Sequence, residues 1–202
     1  NNDGIDIDAC RDVVISDSLI DTEDDSLVLR AIQYVYEEPA VCENVTVSNC
    51  VLKSACQGIR VGAPTDGVIR NCTFGNIVID STNNGIVSQH PQRYVGPGQS
   101  GLTDIHNIHF SNITIRSKGH PIRIELEEQI ELKRISGLRF FDVTSDSERP
   151  CLIVGSEKTR VEDVTFSNVK LATTGPDSAI LRRCRGVKMH NVEISNETGR
   201  AG

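Results

Sequence analysis

The feature that most limits how this chain can fold is a short pattern that recurs seven times along its 202 residues. The copy at residues 42–54 reads CENVTVSNCVLKS, with apolar and polar residues alternating and an Asn at its eighth position. The other copies begin at Cys10, Ile69, Ile105, Ile135, Val161 and Cys184, about 23 to 36 residues apart. Alternation with period two indicates β-strands, and a long fixed pattern indicates a solenoid in which each repeat forms one coil.

Two columns of the aligned copies predict the inside and the corners of these coils. The eighth position is always Asn or Asp, and such short polar side chains tolerate left-handed backbone at turns. Its members are Asp17, Asn49, Asn76, Asn112, Asp142, Asn168 and Asn191. Two positions earlier every residue is apolar, so we expect this column to face inward: Ile15, Val47, Phe74, Phe110, Phe140, Phe166 and Met189. The pattern predicts an all-β fold, a single-stranded right-handed parallel β-helix of about seven coils.

Length and charge limit the domain organisation and the partners. Residues 1–202 are predicted to form one domain, and because the chain opens inside a motif we expect it to lack N-terminal coils of a longer solenoid. A net charge of −7 argues against a nucleic-acid partner. No stretch of about 18 apolar residues is present, which argues against a membrane span.

Seven cysteines need an explanation in a chain of this length. Cys10, Cys42 and Cys184 share one predicted inward column, which favours buried thiols that act as small apolar side chains. A disulfide involving Cys56 or Cys151 is the alternative.

Two acidic clusters near the start of the chain predict its chemistry. Asp3 lies in the run Asn1-Asn2-Asp3-Gly4, and Asp24-Asp25 follow about one coil later. Inverting glycoside hydrolysis needs one protonated carboxyl and one ionised carboxylate, and crowding raises one pKa above the other. Neighbours in a regular strand point to opposite faces, so Asp24 and Asp25 can share a cleft only if the chain bends between them.

The segment NNDGIDIDACRDVVISDSLIDTEDDSLVLRA resembles the central block of the polygalacturonases, glycoside hydrolase family 28. The family's Asn-Thr-Asp-Gly motif matches Asn1-Asn2-Asp3-Gly4, and its paired aspartates match Asp24-Asp25. The resemblance implies a right-handed parallel β-helix that hydrolyses pectic polysaccharides with inversion. It also implies that Asp25 is the general acid and that Asp3 and Asp24 position the water. We expect no cofactor and no metal.

Two family motifs are altered in this chain. The family's Gly-His-Gly motif corresponds to Cys56-Gln57-Gly58. The family's Arg-Ile-Lys motif, which binds a galacturonate carboxylate, corresponds to Val87-Ser88-Gln89. Without those cations a uronate loses charge-assisted hydrogen bonds. The expected substrate is therefore pectin-like or a related polysaccharide, with other side chains taking part in binding. The candidate substrate contacts are Asn1, Gln57, Gly58, Arg60, Arg93, Tyr94 and Arg123.

Two other functions remain open on the sequence. The chain could be a non-catalytic glycan-binding solenoid, such as a degenerate family member or a tail-spike-like segment. It could also be a polysaccharide lyase that binds Ca²⁺ through its acidic cluster. All three readings have a polysaccharide as partner and imply a secreted or periplasmic protein. The oligomeric state, the sugar and the linkage stay open.

Overall fold

In the computed structural model, which describes residues 2–33, 36–96, 101–175 and 179–196, every strand pairs in parallel with strands of neighbouring coils. One sheet has seven short strands, in the order β1 (Ile5–Asp8), β4 (Leu27–Arg30), β6 (Ile59–Val61), β8 (Ile86–His90), β10 (Ile122–Leu126), β12 (Cys151–Val154) and β14 (Ala179–Arg182). This order confirms the predicted parallel β-helix of about seven coils. We call this seven-stranded sheet the first sheet.

The second sheet contains the repeat copies. Its strands are β2 (Arg11–Ser16), β3 (Leu19–Thr22), β5 (Val41–Ser54), β7 (Val68–Ser81), β9 (Asp104–Ser117), β11 (Arg134–Ser147), β13 (Val161–Thr173), β15 (Cys184–Arg185) and β16 (Lys188–Asn196). Most copies therefore form one long strand, whereas the first and last copies are split.

Each long strand bends at its polar column. Asn49, Asn76 and Asn112 have φ values of 55°, 55° and 51°, in the left-handed region. Their amides also form a ladder across coils, since Asn76 Nδ2 donates to Asn49 Oδ1 at 3.1 Å and Asn112 Nδ2 donates to Asn76 Oδ1 at 2.8 Å. The left-handed turns predicted for this column are confirmed. A second left-handed column lies five positions earlier in each copy, at Asp12, Asn44, Asn71, Asn107, Gly137, Asp163 and Gly186.

The core is built of stacked layers of identical positions. Phe74, Phe110, Phe140 and Phe166 form a continuous column whose neighbouring rings lie 5.0 to 5.1 Å apart and nearly parallel. All four are at most 2% exposed. Because Phe110 and Phe140 each contact one ring above and one ring below, the column excludes water across the four coils that it joins.

The end coils depart from the predicted pattern. Met189 was expected to face inward, but it is 43% exposed because no described coil covers it. Cys10 is likewise exposed on the first coil, whereas Cys42, Cys50, Cys72 and Cys151 are buried. All seven cysteines are free thiols, so the alternative of a disulfide at Cys56 or Cys151 is wrong for this structure. Within the described ranges, no helix has the length and apolar character needed to cross a bilayer.

His90, at the end of β8, couples stability to pH. It is buried, its Nε2 lies 3.1 Å from Ser88 Oγ, and burial, with the charge of Arg60, lowers its pKa to about 4. In the unfolded chain His90 binds a proton near pH 6.5, whereas in the folded protein it stays neutral down to about pH 4. The free energy of unfolding therefore falls as the pH drops from about 6.5 to about 4. We expect this one group to remove about 3 kcal/mol over that window. His90→Gln should flatten the dependence by that amount in urea unfolding measured at each pH.

The control for His90 is His190→Gln on the exposed last strand, which should follow the wild-type pH dependence. An equal slope in wild type and His90→Gln would contradict the assignment to His90.

Candidate active site

A cleft of about 290 Å³ lies on the outer face of the first sheet, near the N-terminal coils of the β-helix. Asp3 precedes β1, Asp24 and Asp25 lie between β3 and β4, and Arg60 is the central residue of β6. Tyr94 comes from the 3₁₀ turn Gln92–Tyr94 that follows β8. The residues lining the cleft are Asp3, Asp24, Asp25, Arg30, Arg60, Ala63, Pro64 and Tyr94. The fold therefore brings together five of the residues singled out in the sequence.

The chain bends at the paired aspartates, as their adjacency requires. Residues 23–26 lie outside any strand, and the carbonyl of Asp24 accepts hydrogen bonds from Thr22 Oγ1 at 2.8 Å and Ser54 Oγ at 2.6 Å. Asp25 donates its backbone N–H to Asp3 Oδ1 at 3.2 Å. The bend directs both Asp24 and Asp25 to the cleft, and it connects them to Asp3 on the preceding coil.

Asp25 is the most buried acid of the cleft, with 3% of its surface exposed. Its Oδ2 accepts a short hydrogen bond from Arg60 Nε, whereas its Oδ1 is buried with no hydrogen-bond partner among the described residues. Burial raises the pKa of Asp25 and the charge of Asp24 adds to the rise, although the Arg60 guanidinium opposes it. Asp25 thus has the raised proton affinity that a general acid requires.

Asp3 is held by a cation that is not among the predicted site residues. Arg30, the last residue of β4, donates from Nη2 to Asp3 Oδ2 at 3.2 Å and makes a short ion pair with Asp6 through Nη1. Burial raises the pKa of Asp6, and Arg30 opposes this rise. Because Leu27 and Leu29 are buried in the core, strand alternation predicts that Arg30 faces outward, and this signal could have located it.

Cys56 stands beside the paired aspartates. Its Sγ and one carboxylate oxygen each from Asp24 and Asp25 all lie within 4.8 Å of one another. Three such atoms are potential metal ligands, but burial and the two carboxylates raise the pKa of Cys56 to about 12. A thiol that keeps its proton, beside an acid already paired with Arg60, is a poor site for a divalent cation.

Gln57 and Gly58 do not line the cleft, although both were predicted as substrate contacts. Gln57 is buried, and its Oε1 accepts hydrogen bonds from Asn84 N at 3.1 Å and Asn84 Nδ2 at 2.7 Å. At Gly58 a Cβ would lie 2.4 Å from Ile79 Cγ2, so packing requires glycine there. Both residues stabilise the coil behind the aspartates.

The remaining predicted contacts lie around the cleft. Arg123 is on β10 and bonds Glu125 Oε2 through Nε at 2.9 Å and through Nη2 at 2.6 Å. Arg93 places its guanidinium carbon 5.0 Å from the centroid of the Tyr94 ring, within the range of a cation–π contact. Neither Arg123 nor Arg93 lines the cleft. Asn1 lies outside the described residues.

Fold and site define a parallel β-helix protein with an acidic cleft on the outer face of one sheet. The chain belongs to glycosyl hydrolases family 28, whose model matches residues 1–195. It is 25% identical to an endo-polygalacturonase of Pectobacterium carotovorum subsp. carotovorum over 86% of this chain and 41% of that protein. A polygalacturonase of Brassica napus is 24% identical over 97% of this chain and 49% of that protein. The chain thus spans less than half the length of these relatives.

Proposed function

We propose that this chain contains the catalytic centre of a glycoside hydrolase that cleaves a pectin-like, uronate-containing polysaccharide through Asp3, Asp24 and Asp25. The observation that supports it best is the convergence of these three carboxylates on one cleft, with the most buried of them having a raised pKa. The endo-polygalacturonase and polygalacturonase relatives agree with this substrate class. A polymeric substrate also favours action outside the cytoplasm, by a secreted or periplasmic enzyme.

In this proposal Asp25 protonates the leaving oxygen, and Asp3 and Asp24 position and activate the water. Asp3 is held in place for that role by Arg30, whose Nη2 donates to Asp3 Oδ2 at 3.2 Å. Carboxylate oxygens of Asp24 and Asp25 lie within 4.8 Å, closer than the about 6.5–9.5 Å typical of inverting pairs. The expectation of inversion therefore depends on the resemblance to the family and not on this distance. NMR of the anomeric configuration of the first product tests it.

Arg60 is the proposed contact for a uronate carboxylate. In register across the first sheet, Arg60 pairs with Val87 and Val87 pairs with Arg123. The position that lacks the family's arginine is thus flanked by an arginine on each neighbouring coil. Arg60 lines the cleft whereas Arg123 is engaged by Glu125, so Arg60 is the stronger candidate. Tyr94 offers a ring on which a sugar can stack.

One observation favours a non-catalytic glycan-binding solenoid as the second candidate. Asp25 is paired with Arg60, and a guanidinium in contact opposes protonation of a carboxylate. The lyase reading is less favoured, because Arg60 is buried and paired with an acid rather than available as a base.

A digest of pectic and related polysaccharides separates these functions. We expect new reducing ends without the ultraviolet absorbance of an unsaturated uronide. Unsaturated products would establish a lyase instead. Binding to a polysaccharide without turnover across the panel would overturn the hydrolase proposal in favour of the binding solenoid.

A further inference from the structure

A second depression, also of about 290 Å³, lies on the flank of the β-helix, where the chain passes from the first sheet into the second. It spans two adjacent coils, at the turns that precede β11 and β13 and the first residues of those strands. Four of its lining residues are cations. The full lining is Leu132, Lys133, Arg134, Ile135, Lys158, Thr159, Arg160 and Glu162. We call this depression the basic groove, and none of these residues lines the cleft that holds the aspartates.

The floor of the basic groove fixes its two coils to each other. Leu132 and Ile135 are buried in the core. Thr159 is also buried, and its Oγ1 accepts a hydrogen bond from Leu132 N at 2.9 Å and donates one to Leu132 O at 3.2 Å. The polar atoms of the floor are therefore satisfied within the protein, and the cations project from a fixed backbone.

Asp104 balances one side of the groove only in part. It is buried on the preceding coil, and its two carboxylate oxygens accept hydrogen bonds from Arg134 Nε at 2.7 Å and Arg134 Nη2 at 2.9 Å. The Nζ of Lys133 lies 3.6 Å from the same carboxylate. One buried negative charge thus faces two exposed cations, which leaves this side of the groove positive.

Arg160 adds a cation on the other side. It is exposed, and it forms no ion pair with any acid that the structure describes. The nearby acids have other partners, since Glu131 lies 3.7 Å from Lys158 Nζ and Glu162 lies 3.9 Å from Arg185 Nη1. The groove is therefore positive on both coils, in a chain whose net charge is −7.

The two arginines of the groove are stacked on neighbouring coils. Ser136 pairs with Glu162 in register, and Arg134 and Arg160 each lie two residues before this pair. Paired strands are about 4.8 Å apart, so the two like charges start from neighbouring backbone positions. Like charges opposite each other on adjacent strands are destabilising. An anion that contacts both guanidinium groups offsets this repulsion, and closely spaced carboxylates do so best.

A shallow depression connects the basic groove to the cleft along the described surface. Pro64 and Tyr94 line both the cleft and this depression, whereas Leu132 lines both the depression and the groove. Pro91 and Ile130 also line it, so apolar side chains cover much of the path. A long sugar chain can therefore extend from the cleft to the groove, which a single small anion cannot do.

We propose that the basic groove is a second binding site for an anionic polysaccharide, in which Lys133, Lys158 and Arg160 pair with carboxylates of a stretch of the chain that lies outside the cleft. The choice of a uronate polymer as the ligand rests on the proposed function. The groove holds the polymer on the surface beside the aspartates and takes no part in bond cleavage. No covalent bond changes in this binding.

Lysine labelling of the wild-type chain tests the location directly. Lys133 and Lys158 have side chains 69% and 55% exposed, so an N-hydroxysuccinimide acetate reagent can acetylate both, and peptide mass spectrometry measures the extent. We expect polygalacturonate to slow their acetylation several-fold. Lys170, 70% exposed on β13, should be labelled equally with and without the polymer. Fully methyl-esterified polygalacturonate, which has no charge, should protect none of the three.

Charge-reversal variants measure the contribution of the groove to affinity. Arg160→Glu and Lys158→Glu should each weaken binding to polygalacturonate by about 3- to 10-fold in affinity electrophoresis, and high salt should reduce the difference. Both side chains are exposed, so the substitutions leave the core intact. Lys170→Glu is the matched control for Lys158→Glu, because each lysine is exposed and lies beside one glutamate, at 3.4 and 3.7 Å. It should bind the polymer like the wild type.

Equal labelling of Lys133 and Lys158 with and without polygalacturonate would overturn the proposal. Equal protection by the methyl-esterified polymer would also overturn it, as would the same loss of affinity in Lys170→Glu as in Lys158→Glu. These failures are distinct from failure of the hydrolase function. Protection of the groove without release of reducing ends removes the hydrolase and keeps the binding site, whereas release without protection removes the binding site and keeps the hydrolase.

Discussion

Asp25→Asn should lower kcat on the cleaved polysaccharide by about 10²- to 10⁴-fold, the usual contribution of a general acid. The amide retains the shape of the side chain and can accept the hydrogen bond of Arg60, so the cleft should keep its geometry. It cannot donate a titratable proton to the leaving oxygen. The measurement is reducing-end release over a range of substrate concentrations, with thermal unfolding of both proteins as a check on folding.

Asp21→Asn is the matched control for Asp25→Asn. Asp21 is an exposed residue of β3, close in sequence to the paired aspartates but outside the cleft lining. Asp21→Asn makes the same change of residue type and should keep near wild-type kcat. Full activity in Asp25→Asn would remove Asp25 from the role of acid.

Phe140→Ala should lower the free energy of unfolding by about 3–5 kcal/mol, the typical cost of truncating a fully buried phenylalanine. Phe140 is 0% exposed and stacks between Phe110 and Phe166 at 5.1 and 5.0 Å. Truncation therefore leaves a cavity and removes contacts on two neighbouring coils. Because each coil contacts only its neighbours, the loss should also weaken the coupling between the two halves of the solenoid. Equilibrium urea unfolding gives the free energy and reveals any loss of cooperativity.

The adjacent Phe141 provides a control of the same residue type. It is only half-buried and lies outside the aromatic column, so Phe141→Ala should cost much less than Phe140→Ala. Similar losses in the two variants would contradict the view that the stacked column dominates the stability of the core.

The sequence was sufficient to predict the fold because stacked coils place equivalent positions in contact. An Asn or Asp at the eighth position of each copy predicts a bend there. Asn49, Asn76 and Asn112 adopt the left-handed backbone that such a bend requires. The phenylalanine column follows from the same alignment. The second left-handed column was missed, although it is visible as an Asp, Asn or Gly at the third position of every copy.

The members of the acidic cluster could also be predicted from sequence, but their partners could not. Asp3, Asp24 and Asp25 are recognisable as motifs, and stacking of successive coils brings them to one cleft. The pairing of Arg60 with Asp25 and of Arg30 with Asp3 depends on side-chain directions and on distances between coils. Gln57 shows the same limit, because its amide turns to Asn84 behind the cleft instead of toward a substrate.

The sequence by itself determined the parallel β-helix, its bends, its aromatic core and the three carboxylates, since each depends on residue type at a repeated position. Only the tertiary structure decided which cation faces which acid, how deeply Asp25 is buried and that Met189 lies exposed on an end coil. The physical reason is that burial and electrostatics depend on which neighbours lie above, below and across the cleft. A repeat pattern specifies the layers, whereas the charge state of a side chain depends on everything packed around it.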